Sequence, residues 1–330
     1  MGETGKIAWG ILSTAKIGVE KVIPAMQEGR FSTVAAIASR DAQRAQSVAR
    51  KLGIPAAYGS YEELLGDHAI QAVYIPLPNH LHVPWAIKCL EAGKHVLCEK
   101  PIAINAHEAE QLRQKASEFP NLMVMEAFMY KFHPQWQTIR TLLRSGGIGT
   151  LRWIRSYFCY HNLDPENIRN QAETGGGGLL DIGCYCISTS RFLFEAEPVS
   201  VRGSIEHDPV TKTDRLASGM LEFPEAIATF TCSTQLLPGQ GAHIHGTKGR
   251  IEIEFPFTPP PDARTRVWVH RASGTEDIEF EPFNQYTLQG DAFSNAIITG
   301  GAVPTSLTDA VDNMRVIDRI LEDSQQTRLL

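Results

Sequence analysis

Two short stretches hold side chains suited to proton and charge chemistry. In "VLCEKPIA" at 96–103 an apolar run ends in Glu99-Lys100-Pro101. A lysine thus stands where a strand stops, ahead of a proline whose φ is fixed near about −65°. In "GGGGLLDIGCYCIS" at 175–188, Asp181 and Tyr185 are four residues apart, the spacing that puts two side chains on one helix face. A tyrosine exchanges protons usefully when a nearby cation pulls its phenol down from about 10, and Lys100 is the candidate cation. On these stretches alone the alternatives stay open: a solvated lysine at a strand end and a packed helix aromatic.

A third stretch, "GILSTAKIG" from Gly10 to Gly18, follows the apolar run "KIAW" and precedes a helical pattern. A dinucleotide-binding chain puts its G-x-G-x-x-G loop there. Ser13 and Ala15 stand at the first two glycine positions and Gly18 at the third. Both replacements are small, and Ser13 and Thr14 add hydroxyls beside a helix N-terminus, which attracts anions. An ordinary strand-to-helix turn explains the stretch nearly as well. About twenty residues further on, where such a fold reads the ribose, the strand ends in "ASRD". Ser39 and Arg40 suit a 2′-phosphate, and Asp41 reads as the cap of the next helix. NADP(H) is therefore expected ahead of NAD(H), which stays open. The other reading of Arg40 is a solvated surface residue.

These residues need elements to hold them. Up to residue 127, apolar strand runs ("KIAWGIL", "TVAAIAS", "AVYIPL", "HVLCE", "LMVMEA") alternate with helical periodicity. Continuous rather than alternating apolar strands fit a parallel sheet buried on both faces. "SYEE" at 60–63 fits a capping box. Residues 1–127 are thus expected to form a doubly wound α/β Rossmann domain. From 128 to 330 the pattern changes. "LRWIRSYFCY", "PVSVRGSIEH", "LASGMLEF", "AIATFTCST", "GRIEIEF" and "TRVWVHR" read as strands of a mostly antiparallel sheet. Helices are expected over "PQWQTIRTLLRSG", after "GGGG", and at the C-terminus; "FPFTPPPD" reads as a loop. The second domain is expected to be α+β, serving substrate and oligomerisation.

The 330 residues are 43% apolar and 21% charged, with a net charge of −6. That balance suits a soluble globular protein and argues against nucleic acid as a partner, since phosphate binding needs a basic face. No apolar run approaches the ~18 residues of a membrane span, and the first residues lack a secretory pattern. Six cysteines without a C-x-x-C pair suit buried thiols in a reducing cytoplasm. No ligand spacing suggests a metal.

Taken in order, "GILSTAKIG", "PNHLH" at 78–82, "CEKP", "MEAFMYKFHP" at 125–134, "NIR" at 167–169 and "GGGGLLDIGCYCI" resemble the glucose–fructose oxidoreductase / inositol dehydrogenase / rhizopine-catabolism (Gfo/Idh/MocA) family over nearly the whole chain. Tyr185 in the last motif resembles the dihydrodiol and D-xylose dehydrogenase-like branch; inositol dehydrogenases carry His there. The resemblance implies a Rossmann domain, a second domain with an open-faced antiparallel sheet, and a nicotinamide dinucleotide. By position it implies cofactor contacts from Gly10, Ser13, Thr14, Ala15, Ile17, Ser39, Arg40, Leu77, Pro78, Asn79, His82, Glu99 and Lys100. It implies substrate contacts from Phe158, Arg169, Asp181 and Tyr185, with Lys100, Asp181 and Tyr185 catalytic. Lys131 stands where an Arg is frequent and Met129 where the dihydrodiol branch has Trp, so that branch's substrate does not transfer. The expected activity is hydride transfer between nicotinamide and a sugar, polyol or related hydroxy or carbonyl compound. The alternative is a dinucleotide-binding regulator with the same fold. The resemblance and Trp268, on the sheet face opposite Val267 and Val269, imply a homodimer or homotetramer through the second sheet, unless "FPFTPPPD" covers that tryptophan.

Overall fold

A computed structural model describes residues 5–327. They separate into two compact units. The first takes the chain up to Met129 together with Asn284–Val311, and the second takes Tyr130–Phe283 with the chain from Asp312 onward. A single cut between 127 and 128 misses the return of Asn284–Val311. The physical cause is a set of polar anchors on the helix Gln285–Thr299. Asp291 accepts the backbone N–H groups of Arg30 and Phe31, each at 2.9 Å. Ser294 Oγ accepts Trp9 Nε1–H and meets Ser32 Oγ, each at 3.0 Å.

The first unit is built on six parallel strands: β1 (Ile7–Leu12), β2 (Ser32–Ala38), β3 (Ala56–Tyr58), β4 (Ala72–Ile75), β5 (His95–Cys98) and β6 (Val124–Glu126). Their order is β3-β2-β1-β4-β5-β6, the doubly wound arrangement whose growth reverses between β1 and β4. Ligands of such sheets bind beyond the strand C-termini at that reversal. All four residues of β4 are buried, as expected of a strand covered on both faces. Asp41 caps the helix Ala42–Leu52 by accepting from Gln43 N and Arg44 N, and Gly53 closes it in a left-handed conformation. Ser60 caps Tyr61–Gly66 through Glu63 N at 3.2 Å. The Glu63 carboxylate returns to Gly59 N, not to the backbone of Ser60, so the capping box is displaced by one residue.

The second unit carries an eight-stranded sheet of β7 (Leu151–His161), β8 (Ser200–His207), β9 (Asp214–Phe223), β10 (Ala226–Ser233), β11 (Gln235–Gly246), β12 (Gly249–Ile253), β13 (Thr265–Arg271) and β14 (Gly274–Phe280). The order is β14-β13-β12-β11-β7-β10-β9-β8. Its pairings are antiparallel except β10 on β7. One face is packed: Ile154, Ser156, Val267 and Val269 are buried. The other carries Trp153 and Tyr157, each 36% exposed, and half-buried Trp268, opposite Glu252 on β12 and Asp277 on β14. The proline-rich segment after β12 is a strap. Trp136 Nε1 donates to Pro256 O at 2.9 Å, and Gln240 Oε1 accepts from Phe257 N and Thr258 N at 2.9 and 3.0 Å.

Candidate active site

The sheet of the first unit gathers most of the expected cofactor residues at one edge. β1 runs into Ser13, β2 into Ser39 and Arg40, β4 into Leu77, Pro78 and Asn79, and β5 into Glu99 and Lys100. Ser13 has φ +106, a region that residues other than glycine rarely adopt. It therefore holds, without glycine, the turn that a fingerprint glycine would supply. Its hydroxyl ties the turn across the reversal, donating to Pro76 O at 3.0 Å and accepting from Ala15 N at 3.2 Å. Beyond it a helical segment opens with the π turn Gly18–Val22 and continues as Ile23–Gln27. The first N–H groups of a helix have no partner within it and attract anions. Buried Thr14 and half-buried Ala15 and Ile17 line this opening. A narrow turn, free-ended helical N–H groups and an exposed Arg40 form a donor set that fits a dinucleotide.

Asp41 is committed to its helix cap, and its own N–H donates to Ser39 Oγ at 3.2 Å. With Asp41 so engaged, Arg40 is the exposed cation at the end of β2. On the neighbouring strand, Glu99 is locked: Oε1 accepts Tyr74 O–H at 2.6 Å and Oε2 accepts Lys100 N at 3.3 Å. Burial first, and then Glu99, push the Tyr74 phenol well up. Glu99 thereby orients the turn that presents half-buried Lys100.

Gly10 and His82, two of the expected cofactor residues, have packing roles within the first unit. Gly10 lies inside β1, and a β-carbon there would come within 2.6 Å of Leu64 Cδ2. Its smallness serves packing under the helix Tyr61–Gly66, away from the strand ends. His82 is wholly buried. Its Nδ1 lies 2.7 Å from Pro101 O and its Nε2 2.7 Å from Leu77 O. Burial outweighs the two carbonyls and holds its pKa at about 4, so at neutral pH the ring carries one N–H and donates to one carbonyl at a time. His82 couples the turns after β4 and β5.

In the second unit, the helix after the glycine run opens with a π turn, Leu179–Gly183, and continues as Cys184–Phe194. Asp181 lies in the π turn and Tyr185 in the α-helical part. Asp181 Oδ2 accepts from Arg169 Nε and from Tyr160 O–H, each at 2.7 Å. The Tyr185 ring, 4% exposed, is wedged among Tyr130, Phe158 and Phe257 at centroid distances of 5.8, 5.7 and 5.6 Å. Phe158 stacks on Phe257 of the strap at 5.2 Å and 19°. The expected substrate residues thus form two adjoining pairs, Arg169 with Asp181 and Phe158 with Tyr185. Lys100 belongs to the first unit.

The glycine run has a packing reason. Gly177, at φ +119, leaves no room for a β-carbon because Asp214 Oδ1 fills that place. Asp214 Oδ2 accepts Leu179 N at 2.6 Å. A β-carbon on Gly176 would meet the carbonyls of Arg169, Gln171 and Ile168 at 2.7–2.8 Å. The glycines fold around a buried carboxylate and a tight loop.

Asp214, Tyr160 and Tyr74 escape the sequence reading. Tyr160 alternates with Phe158 along β7, a period-2 signal that also places it on the helix side. Asp214 follows "KT" at the start of β9 and offers no local signal. Burial ahead of Asp181 raises the Tyr160 phenol. Among the described residues, all six cysteines are buried and free, no group of three or more His, Cys, Asp or Glu could hold a metal ion, and no helix is long and apolar enough to cross a membrane.

With this geometry described, comparison with known proteins defines the class. Residues 7–128 match the oxidoreductase family model with an NAD-binding Rossmann fold, and residues 136–252 match the GFO/IDH/MocA C-terminal domain. The chain belongs to the GFO/IDH/MocA family of NAD(P)-dependent oxidoreductases. It is 43% identical over 326 residues to an uncharacterised oxidoreductase of Rhizobium meliloti, covering 97% of both chains. It is 37% identical over 319 residues to D-xylose 1-dehydrogenase (NADP(+)) 2 of Haloferax volcanii, covering 96% of this chain and 97% of the other. Among solved structures, the 3-ketoreductase KijD10 of Actinomadura kijaniata, in complex with NADP and TDP-benzene, is similar at 29% identity. Its TM-score is 0.90 over 97% of this chain and 98% of the other.

Proposed function

We propose that the protein interconverts a hydroxyl and a carbonyl on a sugar or polyol, with NADP(H) as the preferred hydride carrier and NAD(H) as a weaker one. The observation that carries this reading is the strand-end arrangement of the first unit, where Ser13, Arg40 and Lys100 meet one edge of the sheet while Asp41 is spent on a cap. Likeness along nearly the full chain to an NADP-dependent xylose dehydrogenase supports the substrate class. Bound nicotinamide supplies the hydride chemistry. Ser13, Thr14, Ala15 and Ile17 hold the pyrophosphate, Ser39 and Arg40 the adenosine ribose phosphate, and Leu77, Pro78 and Asn79 the middle of the dinucleotide. Tyr185 takes the hydroxyl proton in oxidation and returns it in reduction. Lys100 stabilises the substrate oxygen by charge. Asp181 keeps Arg169 and Tyr160 in place, and Phe158 offers an apolar wall.

Incubating the protein with NADP+ and a panel of aldoses and polyols, and with NADPH and the matching carbonyl compounds, tests this reading by NADPH absorbance. Sugar-dependent change is expected. A flat trace across the panel in both directions, beside tight NADPH binding, would support the regulator instead. Arg40→Ala should weaken NADP(H) by about tenfold or more, the order of a lost charge-assisted contact, and NAD(H) little. Equal weakening of both, or a wild type that prefers NAD(H), contradicts the cofactor assignment.

The same reading includes a homodimer or homotetramer through the open sheet face. Trp153, Tyr157 and Trp268 share that face, while Phe257 of the strap packs against Phe158 and Tyr185 on the opposite one. Covering an aromatic side chain is worth roughly 2–3 kcal/mol, and exposed apolar patches usually mark interfaces. Light scattering at micromolar concentration should give a multiple of the chain mass, and Trp268→Arg should lower it. A wild-type monomer refutes the assembly.

A further inference from the structure

The assignment of Asp181 and Tyr185 leaves a physical question: what fixes the turn that carries them? Asp214, the first residue of β9, is buried. Its Oδ2 accepts Leu179 N at 2.6 Å, and Gly178 N also bonds to it. Gly177 and Gly178 wrap this carboxylate; a β-carbon on Gly178 would lie 3.3 Å from Oδ2. Gly177 N donates to Arg169 O at 2.9 Å, and Arg169 Nε reaches Asp181 Oδ2. The contacts close a circuit from Asp214 through the glycines and Leu179 to Asp181, on to Arg169, and back to Gly177. We infer that Asp214 is a positioning residue, whose carboxylate seated under Gly177–Gly178 fixes the opening π turn of the helix and so the places of Asp181 and Tyr185. This inference rests on the reading that Asp181 and Tyr185 act in turnover.

Asp181 faces Asp214 from the helix, Tyr160 from β7, Cys232 from β10, and His207 as its cross-strand partner on β8; Arg169 stands behind Asp181, and Arg215 follows on the same strand. Burial, followed by Asp181, lifts Asp214 to about 7 against the backbone N–H groups that favour the ion. The native carboxyl keeps its proton to about 7 and the unfolded one only to 3.8, so this group makes the fold less stable as pH rises through that window. The same sign holds locally: opening the turn lets the carboxyl reach water, so the turn loosens as the group ionises.

The test compares full-length wild type with Asp214→Ala. The readings are amide exchange over residues 177–185 against pH, corrected for intrinsic rate, NADP+ binding, and kcat and KM for D-xylose. Wild-type protection of Leu179–Tyr185 should fall as pH climbs from 3.8 through about 7. In Asp214→Ala, which removes both acceptor oxygens, that segment should exchange about tenfold faster or more with no pH step, while exchange in residues 5–129 and NADP+ binding hold. On the reading above, kcat should fall about tenfold or more with KM within about twofold. Unchanged exchange in the variant, a loss spread evenly over both units, or unchanged kcat beside altered exchange overturns the inference. If wild type oxidises neither D-xylose nor any sugar of the panel, the functional reading fails and the exchange data still decide the anchor. If the variant does not fold, the wild-type pH profile decides alone, and a flat profile overturns it.

Discussion

Replacing Tyr185 by Phe is expected to lower kcat by about 10²–10⁴-fold, the worth of a placed proton-transfer group. The ring sits against Tyr130, Phe158 and Phe257, and a phenylalanine keeps all of those contacts. The substitution removes one oxygen and leaves the packing, so the thermal midpoint and NADP(H) affinity should stay near the wild-type values. Stopped-flow and steady-state rates on the best sugar of the panel, beside a cofactor titration, separate the outcomes. A near-normal kcat would make Tyr185 a packing aromatic, which its burial alone is equally able to explain, and the proposed mechanism would fall.

Lys100→Ala should cost about 10²–10³-fold in kcat, the scale of losing one preorganised charge at a developing oxyanion. It should also move the pH profile. A cation near a phenol favours the phenolate and lowers its pKa. Without it, the limb of the profile on which Tyr185 must give up its proton shifts to higher pH. The turn should survive the change, since Glu99 remains held by Tyr74, and His82 still lies between the carbonyls of Leu77 and Pro101. A kcat drop without a pH shift would make Lys100 a binding residue only.

Local chemistry explains which parts of this fold the sequence reveals. The parallel strands announce themselves because burial on both faces leaves apolar runs such as β4. Asp41 and Ser60 announce their helices because each cap answers N–H groups two or three residues away. β11 does not. "QLLPGQGAHIHG" carries a proline and three glycines and shows no strand pattern, yet it pairs with β7 and β12 in the middle of the sheet. Gly241 is needed there because a β-carbon would come within 2.5 Å of Tyr157 Cε1, a cross-strand requirement that the strand's own sequence cannot express. The contacts of Asp214 and His82 are hidden from the sequence for the same reason. Their partners are 35 residues away for Leu179, and 5 and 19 for Leu77 and Pro101. What the motif shows is only the consequence, a run of glycines or a histidine after a strand, and either invites a ligand as its explanation. The helix Gln285–Thr299 returns to the first unit through Asp291 and Ser294, polar side chains that carry no periodic signal. The proposed site residues draw attention by local geometry, Lys100 by its strand end and Asp181 with Tyr185 by their spacing.

The most direct measurement of the central claim uses the sugar that the panel identifies, carrying deuterium on the carbon that bears the reacting hydroxyl. After turnover with NADP+ in ordinary water, the reduced cofactor is isolated and weighed by mass spectrometry. Direct hydride transfer predicts one deuterium on the nicotinamide ring for each sugar oxidised, with the same label pattern at a far lower rate in Tyr185→Phe. NADPH without deuterium, or label lost to solvent, would contradict hydride transfer between the sugar and the nicotinamide and with it this account of the protein.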